Sequence, residues 1–265
     1  MSDHQNGPSQ LDRSQPRARH RDLSGTRILV VGASSGIGEA FAVAAAARGA
    51  SVALAARRID RLKPLADSVN GLAYELDVSR PPEIETTVEN AIAALGGIDA
   101  VVFTSAVLPF AHVQDTDVTT WLHAFSVNAV GASHLLRAVM PHLSQSSVVL
   151  IASSHDVGRP RAGVAAYNAS KAALDELLRS WRSEHPELSL IRVAIGPTKD
   201  SEILRGADRH LLAELYRAWK DHGQIPPQMS EIADVANTLA SLVAAARDNP
   251  SVVAESVTLA PRHIG

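Results

Sequence analysis

The fold is decided by the stretch "VVGASSGIGEAFAVAAAARGA", residues 30–50. It leads from an apolar segment through Gly32, Gly36 and Gly38 into an alanine-rich segment. Glycine allows the positive backbone angles and the close packing that a tight turn from a strand into a helix requires. The free amide groups and the positive dipole end of that helix point at the turn, where they can hold a pyrophosphate. The G-x3-G-x-G spacing therefore favours a phosphate-binding loop over an ordinary tight turn.

From Thr26 onward, short apolar runs alternate with alanine-rich segments, which is typical of strands and helices around a parallel sheet. Several runs are continuously apolar, as strands covered on both faces require. We therefore predict an α/β fold: a single doubly wound domain of the Rossmann type, with a seven-stranded parallel sheet and helices on both faces. The predicted strands are residues 27–31, 51–56, 72–76, 99–103, 147–152, 188–195 and 255–260. The predicted helices are residues 38–48, 82–95, 117–140, 164–184 and 231–247.

The composition divides the chain into a tail and a domain. Residues 1–25 are rich in Ser, Gln, Pro and Arg and nearly lack apolar residues, so we predict a disordered tail. Residues 26–265 have the length and apolar content of one globular domain. Within it, residues 197–229 are polar, carry Pro226 and Pro227, and show the least regular pattern. We interpret them as a mobile flap near the ligand site that contacts the substrate.

Charge and composition argue against several classes of protein. The chain has no cysteine, which excludes disulfides, thiolate nucleophiles and cysteine-based metal sites. A formal net charge of −3 argues against a nucleic-acid partner, and no segment approaches the roughly 18 apolar residues of a membrane-spanning helix. The tail has no apolar centre of a secretory signal, and its acids argue against a transit peptide. Its arginines leave an anionic partner open as the alternative to a solvated tail. We expect a cytoplasmic protein without a bound metal.

The second predicted strand ends in "ALAARRIDR", where a carboxylate would bind the 2'-hydroxyl of an adenosine ribose. Ala56 stands at that place, and Arg57 and Arg58 follow it. A guanidinium there suits a 2'-phosphate, through charge-assisted and forked hydrogen bonds. The replacement of an acidic residue by basic residues here favours NADP(H) over NAD(H). The alternative is that Arg57 and Arg58 are simply two exposed arginines at the end of a strand. Asp77, after the third strand, either accepts from an adenine amino group or caps the next helix.

The stretch "AYNASK", residues 166–171, places Tyr167 and Lys171 on one face of a helix, about one turn apart. A phenol has a pKa of about 10 and is a poor base at neutral pH unless a nearby cation favours its anion. Lys171 can supply that charge. Ser154, at the end of a strand, could hold a substrate carbonyl, and Asn128 could anchor a water leading to the lysine. Each of the three also has a structural alternative: Tyr167 as a core aromatic, Ser154 as a strand-end cap and Asn128 as a buried amide bonded to backbone.

Taken together, "GASSGIG", "LDV", Asn128, Ser154 and "YNASK" resemble the short-chain dehydrogenase/reductase family over residues 26–262. The resemblance implies a catalytic tetrad of Asn128, Ser154, Tyr167 and Lys171. It implies an oxidoreductase that transfers a hydride between NADP(H) and a carbonyl or secondary alcohol, with Tyr167 as general acid/base. The cofactor-binding residues expected from the loop and the resemblance are Gly32, Ser34, Ser35, Gly36, Ile37, Gly38, Arg57, Arg58, Asp77, Val78, Ser105, Ala106, Tyr167, Lys171, Pro197 and Thr198.

The resemblance also bears on assembly and on the substrate. Members of this family pair through two long helices, here residues 117–140 and 164–184, which implies a homodimer or a homotetramer. By the family's layout, the small-molecule substrate is surrounded by the flap and by loop residues. Those residues are Leu108, His155, Val157, Arg159, Arg161, Tyr216 and Trp219. The alternative for His155 is a loop cap, and the alternative for Arg159 and Arg161 is that they are exposed loop arginines, which is the commoner case.

Three departures from the family pattern lie in segments that are expected to contact or support the cofactor. Val31 stands where threonine is usual, so a hydroxyl that braces the loop is lost. "FTSA", residues 103–106, replaces Asn-Asn-Ala-Gly, whose glycine lets backbone approach the cofactor ribose. Gly196 precedes Pro197 where the family has Pro-Gly. The "FTSA" and Val31 departures motivate an alternative hypothesis, a non-catalytic NADP(H)-binding sensor or scaffold that retains the fold.

Overall fold

A computed structural model describes residues 22–199 and 202–262 of the chain. Seven parallel strands form one sheet in the order β3-β2-β1-β4-β5-β6-β7. They are β1 (Arg27–Val31), β2 (Ser51–Ala56), β3 (Leu72–Glu75), β4 (Ala100–Phe103), β5 (Val148–Ser154), β6 (Ser189–Ile195) and β7 (Ser256–Leu259). The predicted fold and all seven predicted strands are confirmed. The strand order reverses between β1 and β4, and in such sheets ligands bind beyond the carboxyl ends of the strands at that point.

Helices cover both faces of the sheet. They are α1 (Gly36–Ala46), α2 (Ile59–Ser68), α3 (Pro81–Leu95), α4 (Val118–Phe125), α5 (Gly131–Val139), α6 (Ala165–Glu184), α7 (Arg209–Asp221) and α8 (Ile232–Asp248). Helices α1 and α8 pack on one face, while α3, α5 and α6 pack on the other. The central strands are buried on both sides, as their continuous apolar runs predict.

The predicted helix over residues 117–140 is interrupted. Helices α4 and α5 are separated by a π-helical turn, Ser126–Val130, in which Asn128 lies. Such turns are rare and occur frequently at functional sites. The interruption turns the Asn128 side chain into the interior, where it bonds to the loop after β4.

Two helices were not predicted. Helix α2 is polar and contains Pro64, and it buries only Leu62 and Ala66. Helix α7 lies within residues 197–229, so the prediction of an irregular flap is wrong for this part. Asp208 caps α7 by accepting from the backbone N–H groups of its first turn. Leu215 is the only buried residue of α7, although the apolar residues of this helix recur at helical spacing and were a signal available in the sequence.

The folded chain begins before the predicted boundary at Thr26. Leu23 is 1% exposed, and its N–H donates to the carbonyl of Arg48. The rest of the predicted tail, residues 1–21, lies outside the described residues. Within the described part of the chain, no helix combines the length and apolar character needed to cross a membrane.

Candidate active site

The turn between β1 and α1 requires each of its three glycines. A Cβ on Gly32 would lie 2.5 Å from the backbone nitrogen of Ser105, and one on Gly38 would lie 2.4 Å from the carbonyl oxygen of Gly32. Gly36 has a φ of +59°, and a Cβ there would meet nothing within 4 Å. Two glycines therefore allow close packing, while the third faces open space at the start of α1. This open space beside free helix amides fits a pyrophosphate.

The loop is braced by Thr104, the second residue of "FTSA". Its hydroxyl donates to the carbonyl of Val31 at 3.1 Å, and its N–H donates to the same oxygen at 2.8 Å. The expectation that Val31 leaves the loop without a bracing hydroxyl is therefore wrong. The strand next to β1 supplies that hydroxyl, and only the pairing of β1 with β4 brings the two residues together.

A cleft of about 600 Å³ opens at the carboxyl ends of the strands, beside the glycine loop. Its walls include these predicted cofactor residues: Gly32, Ser34, Ser35, Gly36, Ile37, Gly38, Arg57, Arg58, Asp77, Val78, Ser105 and Ala106. Other walls come from Leu108, Thr120, His123, Glu202 and Arg205. The predicted tetrad, Pro197 and Thr198 are not among its lining residues. The structure thus separates the cofactor cleft from a buried cluster next to it.

The two arginines after β2 differ in their contacts. Arg58 folds over the glycine loop, where it donates to the hydroxyls of Ser34 at 3.2 Å and Ser35 at 2.6 Å. It also pairs with Glu202 at 2.8 Å. Arg57 is exposed and makes no hydrogen bond or ion pair with residues 22–199 and 202–262. Arg57 is therefore the guanidinium available to a ligand, while Arg58 is part of the wall.

Glu202 brings the short 3-10 turn Glu202–Leu204 onto this wall. Besides Arg58, its carboxylate pairs with Arg61 at 2.6 Å and with Arg205 at 2.9 Å. The hydrogen bond from Arg58, followed by that from Arg61, lowers the pKa of Glu202 to about 2. An anion of the protein itself therefore lies among arginines at the rim where a 2'-phosphate is predicted.

Asp77 lines the cleft, but its carboxylate is already engaged. Its Oδ1 accepts from the N–H of Ser79 at 2.9 Å and from the Ser79 hydroxyl at 2.7 Å. Burial raises the pKa of Asp77, but these hydrogen bonds and the charges of Arg57 and Arg80 outweigh it and lower the pKa overall. Asp77 thus fixes its own loop and does not cap α3, whose N-cap is Arg80.

The predicted tetrad gathers beneath the cleft wall. Ser154 ends β5 and is 5% exposed, while Tyr167 and Lys171 lie in the first turns of α6 and are 8% and 2% exposed. The Ser154 hydroxyl lies close enough to the phenol of Tyr167 to lower the pKa of that phenol. Nζ of Lys171 donates to the carbonyl of Ala152 at 2.9 Å. A phenol, a hydroxyl and an ammonium group thus meet in one water-poor cluster.

Burial determines the protonation of this cluster. It raises the pKa of Tyr167 to about 12, with Asp156 raising it further and Ser154 and Arg161 opposing. The phenol therefore carries its proton at neutral pH. Burial lowers the pKa of Lys171 to about 8, although Asp175 opposes this. Lys171 was expected to supply the charge that acts on the phenol, but the charges that shift the pKa of Tyr167 are those of Asp156 and Arg161.

Asn128 ties the cleft wall to α6. It is fully buried, its Oδ1 accepts from the N–H of Val107 at 2.8 Å, and its Nδ2 donates to the Val107 carbonyl at 2.9 Å. The same Nδ2 donates to the hydroxyl of Ser170 at 2.9 Å. Ser170 in turn donates to the carbonyl of Tyr167 at 2.7 Å. Ser170 was not predicted as a site residue, although its position within "YNASK" was a signal available in the sequence.

The predicted substrate residues are largely bonded to one another. Arg159 contacts the ring of His155, and burial followed by the charge of Arg159 lowers the pKa of that histidine. Arg161 pairs with Asp156, and its guanidinium lies 5.6 Å from the centre of the Trp219 ring. These arginines are therefore engaged in holding the loop and α7.

Pro197 and Thr198 follow β6, close to the end of β5. The carbonyl of Pro197 accepts from the N–H of Ser230 at 2.9 Å, and Thr198 forms an isolated β-bridge with Ser230. The N–H of His155 donates to the carbonyl of Ile195 at 3.1 Å. This loop therefore adjoins the buried cluster rather than the phosphate end of the cleft.

The comparison with known families agrees with this geometry. The family described as short chain dehydrogenase matches residues 26–208. The chain belongs to the short chain dehydrogenase family. The resemblance inferred from its motifs is thereby confirmed, and membership places the protein among oxidoreductases.

Several members of the short chain dehydrogenase family are similar to the chain. Glycine betaine reductase ATRR of Emericella nidulans is 31% identical over 247 residues, covering 91% of this chain. The chain spans only 19% of that reductase's length. An uncharacterized oxidoreductase of Listeria innocua, Lin0452, is 30% identical over 84% of this chain and 90% of its own. A short chain dehydrogenase structure from Burkholderia cenocepacia in complex with NADP has a TM-score of 0.78 at 25% identity, covering 90% of this chain and 97% of that one.

Proposed function

We propose that the protein transfers a hydride between NADP(H) and a carbonyl or secondary alcohol, with Tyr167 as general acid/base. The observation that carries this proposal is the buried phenol of Tyr167, beside the hydroxyl of Ser154 and one helical turn from Lys171. The cluster lies beside a glycine-loop cleft that fits a dinucleotide. When bound, the nicotinamide supplies or accepts the hydride. The residues of the chain then have to hold the substrate oxygen and move its proton.

In the direction of reduction, Tyr167 has its proton ready. Its pKa of about 12 keeps the phenol protonated at neutral pH, so the hydroxyl can donate to a carbonyl oxygen as negative charge develops there. The Ser154 hydroxyl, which lies beside the phenol, can donate to the same oxygen. Burial excludes water, which strengthens both hydrogen bonds. Tyr167 and Ser154 thus orient and protonate the substrate together.

In the direction of oxidation, the phenol must first lose its proton, and a nearby cation favours that loss. Lys171 carries a positive charge below its pKa of about 8 and lies on the same face of α6. Asn128 and Ser170 hold the first turn of α6 in place. We therefore keep the proposed tetrad, with Asn128 as the residue that positions the helix.

The rim of the cleft supports the preference for NADP(H). Arg57 has no partner among the described residues, lies on the wall and can reach a phosphate without breaking a protein contact. Ser34, Ser35 and Arg58 form the wall beside it. The similar Burkholderia structure contains NADP, which agrees with this choice. We propose Pro197 and Thr198 as contacts at the nicotinamide end, since their loop adjoins the buried cluster.

We further propose a homo-oligomer that pairs through α4, α5 and α6. Large apolar side chains are exposed in α4 and in the π-helical turn that follows it: Val118 is 72% exposed, Leu122 is 65% exposed and Val130 is 44% exposed. Burying such side chains against a second copy is favourable. A cytoplasmic location belongs to the same proposal, because a chain without cysteine suits a reducing compartment.

The proposal is tested with Tyr167→Phe, which keeps the ring and removes the proton. Oxidation of NADPH would be followed with a panel of ketones and aldehydes, and NADPH binding would be measured separately. We expect turnover to fall by about 10² to 10⁴ while the Kd for NADPH stays constant. The matched control is Tyr74→Phe, which removes a hydroxyl far from the cluster and should leave turnover unchanged. Full turnover by Tyr167→Phe would refute the proposed acid/base, and NADPH binding without turnover on any carbonyl would support the sensor alternative.

A further inference from the structure

A buried carboxylate lies one helical turn beyond Lys171. Asp175, in α6, is 4% exposed, and its Oδ1 accepts from the hydroxyl of Ser153 at 2.5 Å. Its Oδ2 pairs with Arg192 of β6 at 2.6 Å. The carboxylate thus joins α6 to the two central strands β5 and β6. Neither the glycine loop nor the proposed tetrad includes it.

The contact with Ser153 places Asp175 under the reacting groups. On one side of Ser153 is Ala152, whose carbonyl accepts from Nζ of Lys171 at 2.9 Å. On its other side is Ser154, whose hydroxyl lies beside the phenol of Tyr167. The Asp175 carboxylate therefore fixes Ser153. This residue lies between Ala152 and Ser154, the two residues at the end of β5 that face Lys171 and Tyr167 of α6.

Asp175 is also the anion that favours the charged form of Lys171. The titratable and charged groups facing this region are Tyr167 and Asp175 on α6, Arg192 on β6, and Asp156 and Arg161 in the loop after β5. Lys171 is 2% exposed, and burial disfavours its charged form. Asp175 is the anion that opposes this effect. Without it, the buried cation Lys171 and the half-buried cation Arg192 would remain in this region, with no buried anion between them in the described part of the chain.

We propose that Asp175 is a positioning residue that keeps Lys171 cationic and holds the end of β5 against α6. This inference rests on the proposed function, because the charge of Lys171 matters only if Tyr167 exchanges a proton. Stability alone does not explain the arrangement. Buried ion pairs are often no more stabilising than apolar side chains of the same volume.

The direct test is the titration of Lys171 itself. The chain has only four lysines, Lys63, Lys171, Lys199 and Lys220, so selective ¹³C labelling of lysine gives few signals. Loss of one signal in Lys171→Met assigns it. Its titration would be followed by NMR in the wild type and in Asp175→Asn. We expect the midpoint for Lys171 to fall by about one pH unit or more in the variant.

Two further variants make the result decisive. Ser153→Ala removes the hydrogen bond to Asp175 but keeps the carboxylate, so the Lys171 midpoint should stay near its wild-type value. The charge-balanced variant Asp175→Asn/Arg192→Met avoids an uncompensated, half-buried arginine, in case Asp175→Asn does not fold, and should also lower the midpoint. An unchanged midpoint in whichever of the two Asp175 variants folds would overturn the inference.

A kinetic measurement separates this inference from the proposed function. With a secondary alcohol as substrate, the rise of kcat with pH should move to higher pH in the Asp175 variant, because a neutral Lys171 no longer favours the tyrosinate. A shifted lysine midpoint with an unmoved kcat profile would show that Asp175 sets the charge of Lys171 without serving proton transfer, and would overturn the positioning role. Full turnover by Tyr167→Phe would instead refute the proposed function, whatever the lysine titration shows.

Discussion

The rim of the cofactor cleft and the cluster beneath it carry similar charged groups in opposite surroundings. At the rim, Arg58, Arg61 and Glu202 form ion pairs, with side chains 28%, 45% and 35% exposed. In the cluster, Lys171 and Tyr167 are 2% and 8% exposed. Water screens the rim pairs, so each is worth little, whereas burial moves the pKa values of the cluster. We therefore expect changes at the rim to alter cofactor affinity, and changes in the cluster to alter chemistry and pH dependence.

Lys171→Met should give the largest effect. Lys171 has a pKa of about 8 in the folded protein against an ordinary 10.5. Between these values the unfolded chain holds a proton that the folded protein has released, so the free energy of unfolding of the wild type rises with pH. Relative to the Lys171→Met variant, that rise should amount to roughly 3 kcal/mol.

Urea denaturation at a series of pH values measures this difference. The matched control is Lys63→Met, which removes an exposed lysine and should give a curve parallel to that of the wild type. Parallel curves for Lys171→Met and the wild type would contradict the account of the buried cluster.

Gly38→Ala should disturb the glycine loop of the cofactor cleft, where packing leaves no room for a Cβ atom. The added Cβ would lie 2.4 Å from the carbonyl oxygen of Gly32 and 2.5 Å from the hydroxyl of Thr104. Overpacking of this kind costs about 1 to 3 kcal/mol, and it would displace the loop that faces the cofactor. Thermal unfolding and NADPH titration should both show losses. Gly223→Ala, which strains a positive φ in open space, should leave NADPH binding intact, and equal losses would refute the packing argument.

Arg57→Ala tests the rim directly. Removing the guanidinium should weaken NADPH binding by about tenfold or more and leave NADH binding nearly unchanged, since only NADPH carries the 2'-phosphate. Arg80→Ala is the matched control, because it removes an exposed guanidinium outside the lining of the cleft. Equal losses for both cofactors would show that Arg57 does not contact the 2'-phosphate.

Glu202→Gln should have the smallest effect, and in the opposite direction. Its carboxylate lies among Arg58, Arg61 and Arg205, where it competes with an incoming phosphate. Its removal should strengthen NADPH binding by about threefold at low salt, less at high salt, and leave NADH unchanged. Weaker NADPH binding would show that Glu202 supports the site rather than competing for it.

The two regions also differ in how far the sequence predicts them. The glycine loop, the two arginines and the predicted tetrad lie in short local motifs, so their residues could be named before the structure was seen. The brace from Thr104 could not be, because it depends on which strand lies beside β1. Asp175 and Arg192 were missed for the same reason, since a helix and a strand distant in sequence bring them together. Helix α7 could have been predicted, because its apolar residues Leu211, Leu215 and Trp219 recur at helical spacing.

The proposed function requires that the cleft hold a phosphorylated nicotinamide cofactor next to the buried phenol of Tyr167. The most direct measurement is a titration of the wild type and Tyr167→Phe with NADPH and with NADH, following the fluorescence of the reduced nicotinamide at low salt. We predict tight NADPH binding, the same in both proteins, and weaker NADH binding. Failure of the wild type to bind either cofactor would contradict the account, and would show that "FTSA" and the rim contacts close the site.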